Sequence, residues 1–110
     1  MSEILVLVEH VEGAIKKVTL ELLTLARKLG EPAAVWAGPG YTADARAKLA
    51  EHGAEKIYVA DSAEVTDYVV APKAELLARL VADKSPAAVL VAATPEGKEV
   101  AGRLAIKTDS

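Results

Sequence analysis

The loop after the second predicted strand has glycines at a spacing that could bind a dinucleotide. Gly38-Pro39-Gly40-Tyr41-Thr42-Ala43 fits G-x-G-x-x-A, and Asp61 ends the next predicted strand roughly 20 residues later, which is the context of the dinucleotide fingerprint. Pro39 argues against this interpretation, because proline has no N–H group to offer to a pyrophosphate. The sequence therefore favours a tight turn, in which glycine supplies positive φ, before a capped helix.

A second candidate site is the helix start after the fourth predicted strand, Thr94-Pro95-Glu96-Gly97. Helix N-termini attract anions. If the strand order reverses between the first and fourth strands, this segment and His10–Gly13 flank the crevice where doubly wound folds bind ligands. The carboxylates of Glu9, Glu12 and Glu96 would repel a phosphate there, so good N-capping is the favoured interpretation. Three residues are retained as candidates for ligand binding at this crevice: His10, Thr94 and Gly97.

The histidines and the tryptophan form no recognisable catalytic arrangement in the sequence. His10 follows a predicted strand, but no nucleophile in an elbow motif accompanies it, so a structural hydrogen bond is the favoured role. His52 lies in the last turn of a predicted helix, where a cation suits the dipole. Trp36 lies within a strand, which favours a core or interface position over ligand stacking. Since no P-loop and no metal-ligand spacing occur, no catalytic and no metal site is predicted.

Four short apolar runs must position these segments. The predicted strands are Ile4–Val8, Ala33–Ala37, Lys56–Ala60 and Ala87–Ala92. Each run is nearly continuous and does not alternate, as is typical of strands whose two faces are both covered by helices. Together with the helices between them, they predict an α/β fold: a three-layer, doubly wound parallel sheet.

Amphipathic helices are predicted between and after the strands. The first has an apolar stripe at three- and four-residue spacing, made by Ile15, Val18, Leu22, Leu25 and Leu29. It is expected to end at a left-handed Gly30. The second follows an N-cap at Thr42, the third begins at Pro72, and the fourth follows an N-cap at Thr94. Residues 61–71 are the least regular stretch, where Asp61 and Ser62 could cap a short helical turn.

The end of the chain breaks the alternation of strands and helices. The fourth helix should lead into a fifth parallel strand, but the sequence stops at Lys107-Thr108-Asp109-Ser110. A sheet that ended at the fourth strand would leave an apolar edge for another segment to cover. The expectation is therefore a partial chain, in which residues 1–110 form one α/β domain that is incomplete at its C-terminal end.

Composition limits the classes of function. The chain has 110 residues, of which 52% are hydrophobic and 26% charged, as expected of one globular domain or part of one. No apolar run approaches the roughly 20 residues that span a bilayer, and no signal peptide is recognisable. The lack of cysteine excludes disulfides and fits a cytoplasmic protein. The net charge of −3 without a basic stripe argues against nucleic acid as a partner.

Longer stretches of the sequence are more informative about function than its hydrophobic periodicity. Their order and spacing extend over nearly the whole chain: Ile4–His10, Gly13, Lys17, Thr19–Gly30, His52–Asp61, Ala87–Thr94 and Pro95–Ala105. Together they resemble the N-terminal domain of the electron transfer flavoprotein alpha subunit. The resemblance implies an adenine-nucleotide-alpha-hydrolase-like fold that pairs with a similar domain of a beta subunit.

The same resemblance implies a role in electron transport. In that family the heterodimer carries electrons from acyl-CoA and other dehydrogenases, as in fatty acid beta-oxidation, to a downstream acceptor. The FAD lies mainly in a C-terminal domain of the alpha subunit that this sequence lacks, and an AMP is typically held by the beta subunit. No FAD-binding residue of the family can be placed on this sequence, so no cofactor is expected in this segment.

Three functions are consistent with the sequence. The first is a non-enzymatic interaction and scaffold domain of the flavoprotein, whose partners are the beta subunit and, through the complete complex, dehydrogenases. The second is a nucleotide-binding module similar to universal stress proteins, although Thr94-Pro95-Glu96-Gly97 lacks the glycine-rich phosphate loop of those proteins. The third is a small NAD-linked enzyme that uses Gly38-Pro39-Gly40. The resemblance favours the first.

Overall fold

A parallel sheet organises the described part of the chain, which is residues 3–11, 14–60 and 70–108 of a computed structural model. In chain order the elements are β1 Glu3–Leu7, β2 His10–Val11, β3 Ala14–Ile15, α1 Lys17–Leu29, β4 Glu31–Ala37, α2 Ala43–Glu51, β5 Lys56–Ala60, α3 Val70–Lys84, β6 Ala88–Leu90 and α4 Pro95–Thr108. The larger described sheet has the order β5-β4-β1-β6, and every neighbouring pair is parallel. The order reverses between β1 and β6, which confirms the doubly wound α/β fold.

The central strands β1 and β4 are buried on both faces, and this explains their continuous apolar sequences. Along β1, Ile4 and Val6 face one core cluster, which includes Leu23 of α1 and Leu49 of α2. Leu5 and Leu7, whose side chains point to the opposite face, belong to a second cluster with residues of α3 and α4. The predicted three layers are therefore present, with two helices on each face of the described sheet.

The predicted N-caps of two helices are confirmed. The Thr42 hydroxyl accepts a hydrogen bond from the Ala45 N–H at 3.1 Å, and the Thr94 hydroxyl accepts one from the Gly97 N–H at 3.0 Å. Gly30 ends α1 as predicted, and its N–H donates to the Ala26 carbonyl at 3.0 Å. The expected left-handed conformation is wrong, since Gly30 is extended, with φ 171° and ψ −144°.

Other element boundaries differ from the prediction for local reasons. Ile15 lies in β3, opposite His10 in an antiparallel pair, and not in the first helix. The extended Lys16 separates the two elements, so the helix begins only at residue 17. Helix α3 begins at Val70 and not at Pro72, because proline is tolerated in the first turn, where its missing N–H has no partner to lose. The turn predicted at Asp61 and Ser62 lies outside the described residues, as does the side chain of Ile106.

Strand β6 is an edge of the described sheet. It pairs with β1 over only three residues, which is shorter than the predicted Ala87–Ala92. An apolar groove of about 320 Å³ lies beside it, lined among others by Val81, Pro86, Val89, Val91 and Leu104. The groove lies along the edge of the described sheet at which the sequence predicts an apolar surface. Among the described helices, none combines the length and the apolar character needed to cross a membrane.

A hydrogen bond at the amino end of the sheet makes stability sensitive to alkaline pH. The Tyr58 hydroxyl donates to Glu3 Oε2 at 2.7 Å. Burial, this hydrogen bond and the Glu3 charge raise the pKa of Tyr58 from 10 to about 12. Between these two pH values the unfolded chain has lost the phenol proton while the folded chain still holds it. The contribution to stability is therefore complete below pH 10 and is lost as the pH rises towards 12.

We expect Tyr58→Phe to remove this part of the pH dependence. Urea unfolding of both proteins, followed by circular dichroism from pH 10 to pH 12, should show a steeper loss of unfolding free energy in the wild type. Other groups that titrate in this range affect both proteins equally, so the difference isolates Tyr58. Identical slopes would contradict the prediction.

Candidate functional site

The carboxyl ends of β1 and β6 meet at the point where the strand order reverses, and a chain of hydrogen bonds joins them. Glu9 follows β1, and Thr94 precedes α4. The Thr94 hydroxyl donates to Glu9 Oε2 at 2.7 Å and accepts from the Gly97 N–H at 3.0 Å. The crevice that binds ligands in doubly wound folds is therefore crossed by the chain's own polar groups.

Glu9 is held in place from the side of α1. Its side chain is only 4% exposed, and its backbone N–H donates to the Thr19 hydroxyl at 2.8 Å. Lys16, which precedes α1, donates its backbone N–H to the Glu9 carbonyl at 2.9 Å and places its ammonium group 3.5 Å from Glu9 Oε1. A buried carboxylate needs such partners, because an unpaired charge in the interior is costly.

Glycine is required at position 97 because the start of α4 passes close to the backbone of the loop that follows β6. A Cβ atom at position 97 would lie 1.9 Å from the Ala92 carbonyl oxygen, which is too close for any residue other than glycine. The close approach brings the Gly97 N–H to the Thr94 hydroxyl. Gly97 thus gives the site its geometry through the backbone.

His10 lies on the other side of β1, against β4. Its ring is stacked on Trp36 with centroids 3.8 Å apart and planes at 13°, and Nε2 is 2.9 Å from the Ala37 carbonyl oxygen. Because a carbonyl only accepts, this geometry assigns a proton to Nε2. The hydrogen bond favoured from the sequence is present. Of the three candidate residues, the structure brings Thr94 and Gly97 together and directs His10 elsewhere.

Trp36 is part of the core, as its position within a strand predicts. Its side chain is fully buried, and its indole N–H donates to the Gly38 carbonyl at 3.0 Å. The Tyr41 ring meets it edge-on, with centroids 5.4 Å apart. Together with His10 these rings form an aromatic cluster at the carboxyl end of β4.

The glycine-rich loop is a tight turn. Gly38 and Gly40 both have φ of 97°, the positive value that glycine adopts without strain. The Gly38 N–H donates to the Ala60 carbonyl at 2.7 Å, and Pro39 has no N–H, so neither can serve a pyrophosphate. Asp61, the acidic residue of the proposed fingerprint, lies outside the described residues, as do Glu12 and Gly13.

An ion pair between Lys73 and Glu96 is the feature of this region that sequence reasoning missed. Lys73 lies in the first turn of α3, its side chain is 5% exposed, and its ammonium group contacts the Glu96 carboxylate at the start of α4. Glu96 is therefore paired and is not the free repulsive charge that the sequence suggested. The available signal was the lysine itself, since the positive end of a helix dipole disfavours a cation unless a carboxylate lies nearby.

His52, the second histidine of the sequence, has a structural contact. His52 is the C-cap of α2, and its N–H donates to the Lys48 carbonyl at 3.2 Å. Within residues 3–11, 14–60 and 70–108, no three histidine or carboxylate side chains come together in a group that could hold a metal ion.

Comparison with known proteins gives matches along the whole chain. A family model described as "Electron transfer flavoprotein domain" matches residues 4–110. The electron transfer flavoprotein subunit alpha of Mycobacterium tuberculosis is 55% identical over 111 aligned residues, and that of Mycobacterium leprae is 54% identical. Each alignment covers 100% of this chain and 35% of the relative.

A more distant relative has a different name. The LctC subunit of the lactate dehydrogenase (NAD(+),ferredoxin) of Acetobacterium woodii is 36% identical over 109 residues, which cover 94% of this chain and 26% of that protein. The chain thus spans about a third, or less, of the length of the relatives it matches.

Proposed function

Since the chain belongs to the electron transfer flavoprotein domain family, we propose that residues 1–110 form the N-terminal α/β domain of an alpha subunit of such a flavoprotein. Its role is that of a scaffold and interaction domain, which docks a beta subunit and supports the part of the protein that holds FAD. The identity of 55% to a mycobacterial alpha subunit over the whole chain supports this assignment.

The complete heterodimer would carry electrons from dehydrogenases, such as acyl-CoA dehydrogenases, through FAD to a downstream acceptor. The names of the relatives support this proposal: several are electron transfer flavoproteins, and one is a subunit of a lactate dehydrogenase. The segment itself has no enzymatic role in this proposal. A cytoplasmic location fits a chain without cysteine.

The observation that carries the proposal is the hydrogen-bonded closure of the switch-point crevice. A flavin dinucleotide needs N–H donors or cations for its pyrophosphate. The crevice presents instead a buried Glu9 carboxylate, which already accepts from Thr94, and the first-turn N–H of Gly97 is also taken. These contacts support the proposal that this segment does not itself bind FAD and that the cofactor lies elsewhere in the complete subunit.

Gel filtration with the beta subunit and with FAD tests both parts of the proposal, which are docking of the beta subunit and the lack of FAD binding by this segment. We expect the purified chain to co-elute from gel filtration with the beta subunit of its mycobacterial relative and to carry no flavin absorbance when it is mixed with excess FAD alone. The complete mycobacterial heterodimer, under the same conditions, is the positive control for flavin. A yellow chain with FAD at unit stoichiometry would refute the scaffold role, and so would failure to bind the beta subunit.

A further inference from the structure

Helix α1 has two apolar faces, and the sheet covers one of them. Leu23 and Ala26 are fully buried in the core cluster under the helix. The second face is an apolar row, the lateral stripe, made by Val18, Leu22, Leu25 and Leu29. We propose that an amphipathic helix from the remainder of the alpha subunit packs beside this stripe and over β6. The inference rests on the proposed function, because it takes the chain to be part of a longer alpha subunit.

The lateral stripe is exposed along the C-terminal half of α1. Leu25 is 47% and Leu29 is 53% exposed, whereas Val18 and Leu22 are half-buried. Single exposed leucines are common on protein surfaces, but a contiguous apolar row beside a sheet is typical of a binding face.

The lateral stripe faces β6 and not α2. Arg27 marks the side of α1 that faces α2, because a Cβ atom on Gly53, in the turn after α2, would lie 2.2 Å from Arg27 Cδ. Successive helical residues are rotated by about 100°, which puts Arg27 roughly opposite the stripe around the helix axis. In the order β5-β4-β1-β6, α2 connects β4 to β5, so the opposite side of α1 is the side of β6.

Strand β6 supplies the floor of the same surface. Ala88 and Leu90 are partly buried and pack against the core cluster that contains Leu23 of α1, so they face the same side of the sheet as α1. Helices α3 and α4 pack with the cluster on the opposite side. Among residues 3–11, 14–60 and 70–108, no helix lies beside α1 over β6, and wall and floor there are both apolar.

The geometry favours one added helix over a second copy of the chain. Packed helices lie about 8–10 Å apart and neighbouring strands about 4.8 Å apart. If α1 paired with α1 of a copy through a two-fold axis, the β6 strand of the copy would fall on β1, because β6 extends beyond α1 towards the copy. A single helix can lie over β6 without this collision.

The remainder of the subunit can supply that helix. The alignment covers 35% of the Mycobacterium tuberculosis alpha subunit, so about two thirds of that protein lie outside it. Pro86, just before β6, and Leu104, in the last turns of α4, line one groove, which places the end of α4 near the start of β6. A segment that follows α4 therefore emerges next to the proposed surface.

The surface also indicates the chemistry of the occupant. Its apolar side chains should recur every three or four residues, since they pack on the leucines of α1. The exposed Lys17 and Lys28 stand along the outer edge of the lateral stripe, with Glu21 between them. The complementary helix should therefore carry carboxylates opposite the two lysines, while its apolar contacts provide most of the binding free energy.

Photo-cross-linking identifies what covers the lateral stripe. Residues 1–110 would be joined to the part of the Mycobacterium tuberculosis alpha subunit outside the alignment, and benzoylphenylalanine would replace Leu25, Leu29 or Thr24 in turn. Thr24 is exposed on the same helix but points away from the stripe, so it is the matched control. We expect the Leu25 and Leu29 sites to cross-link within the hybrid subunit to a helical segment outside the alignment, and the Thr24 site to give no such product.

The hybrid subunit would be irradiated both alone and with the mycobacterial beta subunit. Gel filtration before irradiation shows whether the beta subunit binds, so failure of the proposed function is observed separately from the cross-link. Products that join the stripe to the beta subunit or to a second copy, or no product at all, overturn the inference. A hybrid that does not fold also contradicts it, because this surface is then unable to accept the remainder of the subunit.

The double substitution Leu25→Gln with Leu29→Gln gives a second readout. In the hybrid subunit it should lower the midpoint of thermal unfolding by at least about 4 °C, because two covered leucines become polar. In residues 1–110 alone the midpoint should stay the same, since both side chains are largely exposed to water there. An equal change in the two proteins would show that the stripe stays uncovered in the longer one.

Discussion

A Gly97→Ala substitution is expected to lower the free energy of unfolding by about 3 kcal/mol, because the added methyl group has no room. Its carbon would lie 1.9 Å from the carbonyl oxygen of Ala92 and 3.0 Å from the carbonyl carbon. Both are backbone atoms between β6 and α4, so they cannot turn away as a flexible side chain would. The first turn of α4 must therefore move away from this loop and loosen the hydrogen bond between the Gly97 N–H and Thr94.

The same helix supplies the matched control. Gly102 also lies within α4, and a Cβ atom there meets nothing within 4 Å. Gly102→Ala should raise the free energy of unfolding by about 0.5–1 kcal/mol, since alanine is the better helix former. Urea denaturation of the two variants and the wild type, followed by circular dichroism, gives both changes. Equal shifts in the two variants would contradict the steric explanation.

The parts of the fold that the sequence predicted correctly are those that local interactions determine. Thr42 and Thr94 each cap a helix through an N–H three residues ahead, so the residue type and its position suffice. The buried strands could be recognised because covering both faces of a sheet requires an unbroken apolar run. Ile15 was misplaced because its spacing continues the helical stripe, while its actual pairing with His10 depends on a hairpin with two-residue strands that have no periodicity to detect.

The location of the candidate site could be predicted from the sequence, but the contacts within it could not. A reversal of strand order between the first and fourth strands was sufficient to locate the crevice. The hydrogen bond that crosses this crevice joins Glu9 to Thr94, which lie 85 residues apart in the sequence. The sequence places three carboxylates near this helix start, those of Glu9, Glu12 and Glu96. Only the packed structure shows that the Thr94 hydroxyl donates to Glu9 and that Lys73 pairs with Glu96. The side of β1 on which His10 lies likewise depends on its contact with Trp36.

Trp36 is the side chain whose removal should cost the most, and Trp36→Ala is expected to lower the free energy of unfolding by about 3–5 kcal/mol. The indole is fully buried, stacks on His10 and donates a hydrogen bond to the Gly38 carbonyl. The substitution leaves a large cavity at the end of a central strand and an unpaired carbonyl in the turn. Against a typical total of about 5–15 kcal/mol, a loss of this size brings the domain close to unfolding.

A double-mutant cycle would separate the stacking from the loss of volume. Trp36→Phe keeps an aromatic ring but removes the indole N–H, and should cost less than Trp36→Ala. His10→Ala combined with Trp36→Leu, which removes the stacked ring but keeps a large apolar side chain, should show a coupling of about 0.5–1.5 kcal/mol, because the His10 and Trp36 rings are in direct contact. Circular dichroism must follow the urea unfolding, since Trp36 is the only tryptophan and its fluorescence is lost in every variant that replaces it. If His10→Ala has the same effect in the wild type and in Trp36→Leu, the stacking of the two rings adds nothing to the free energy of unfolding.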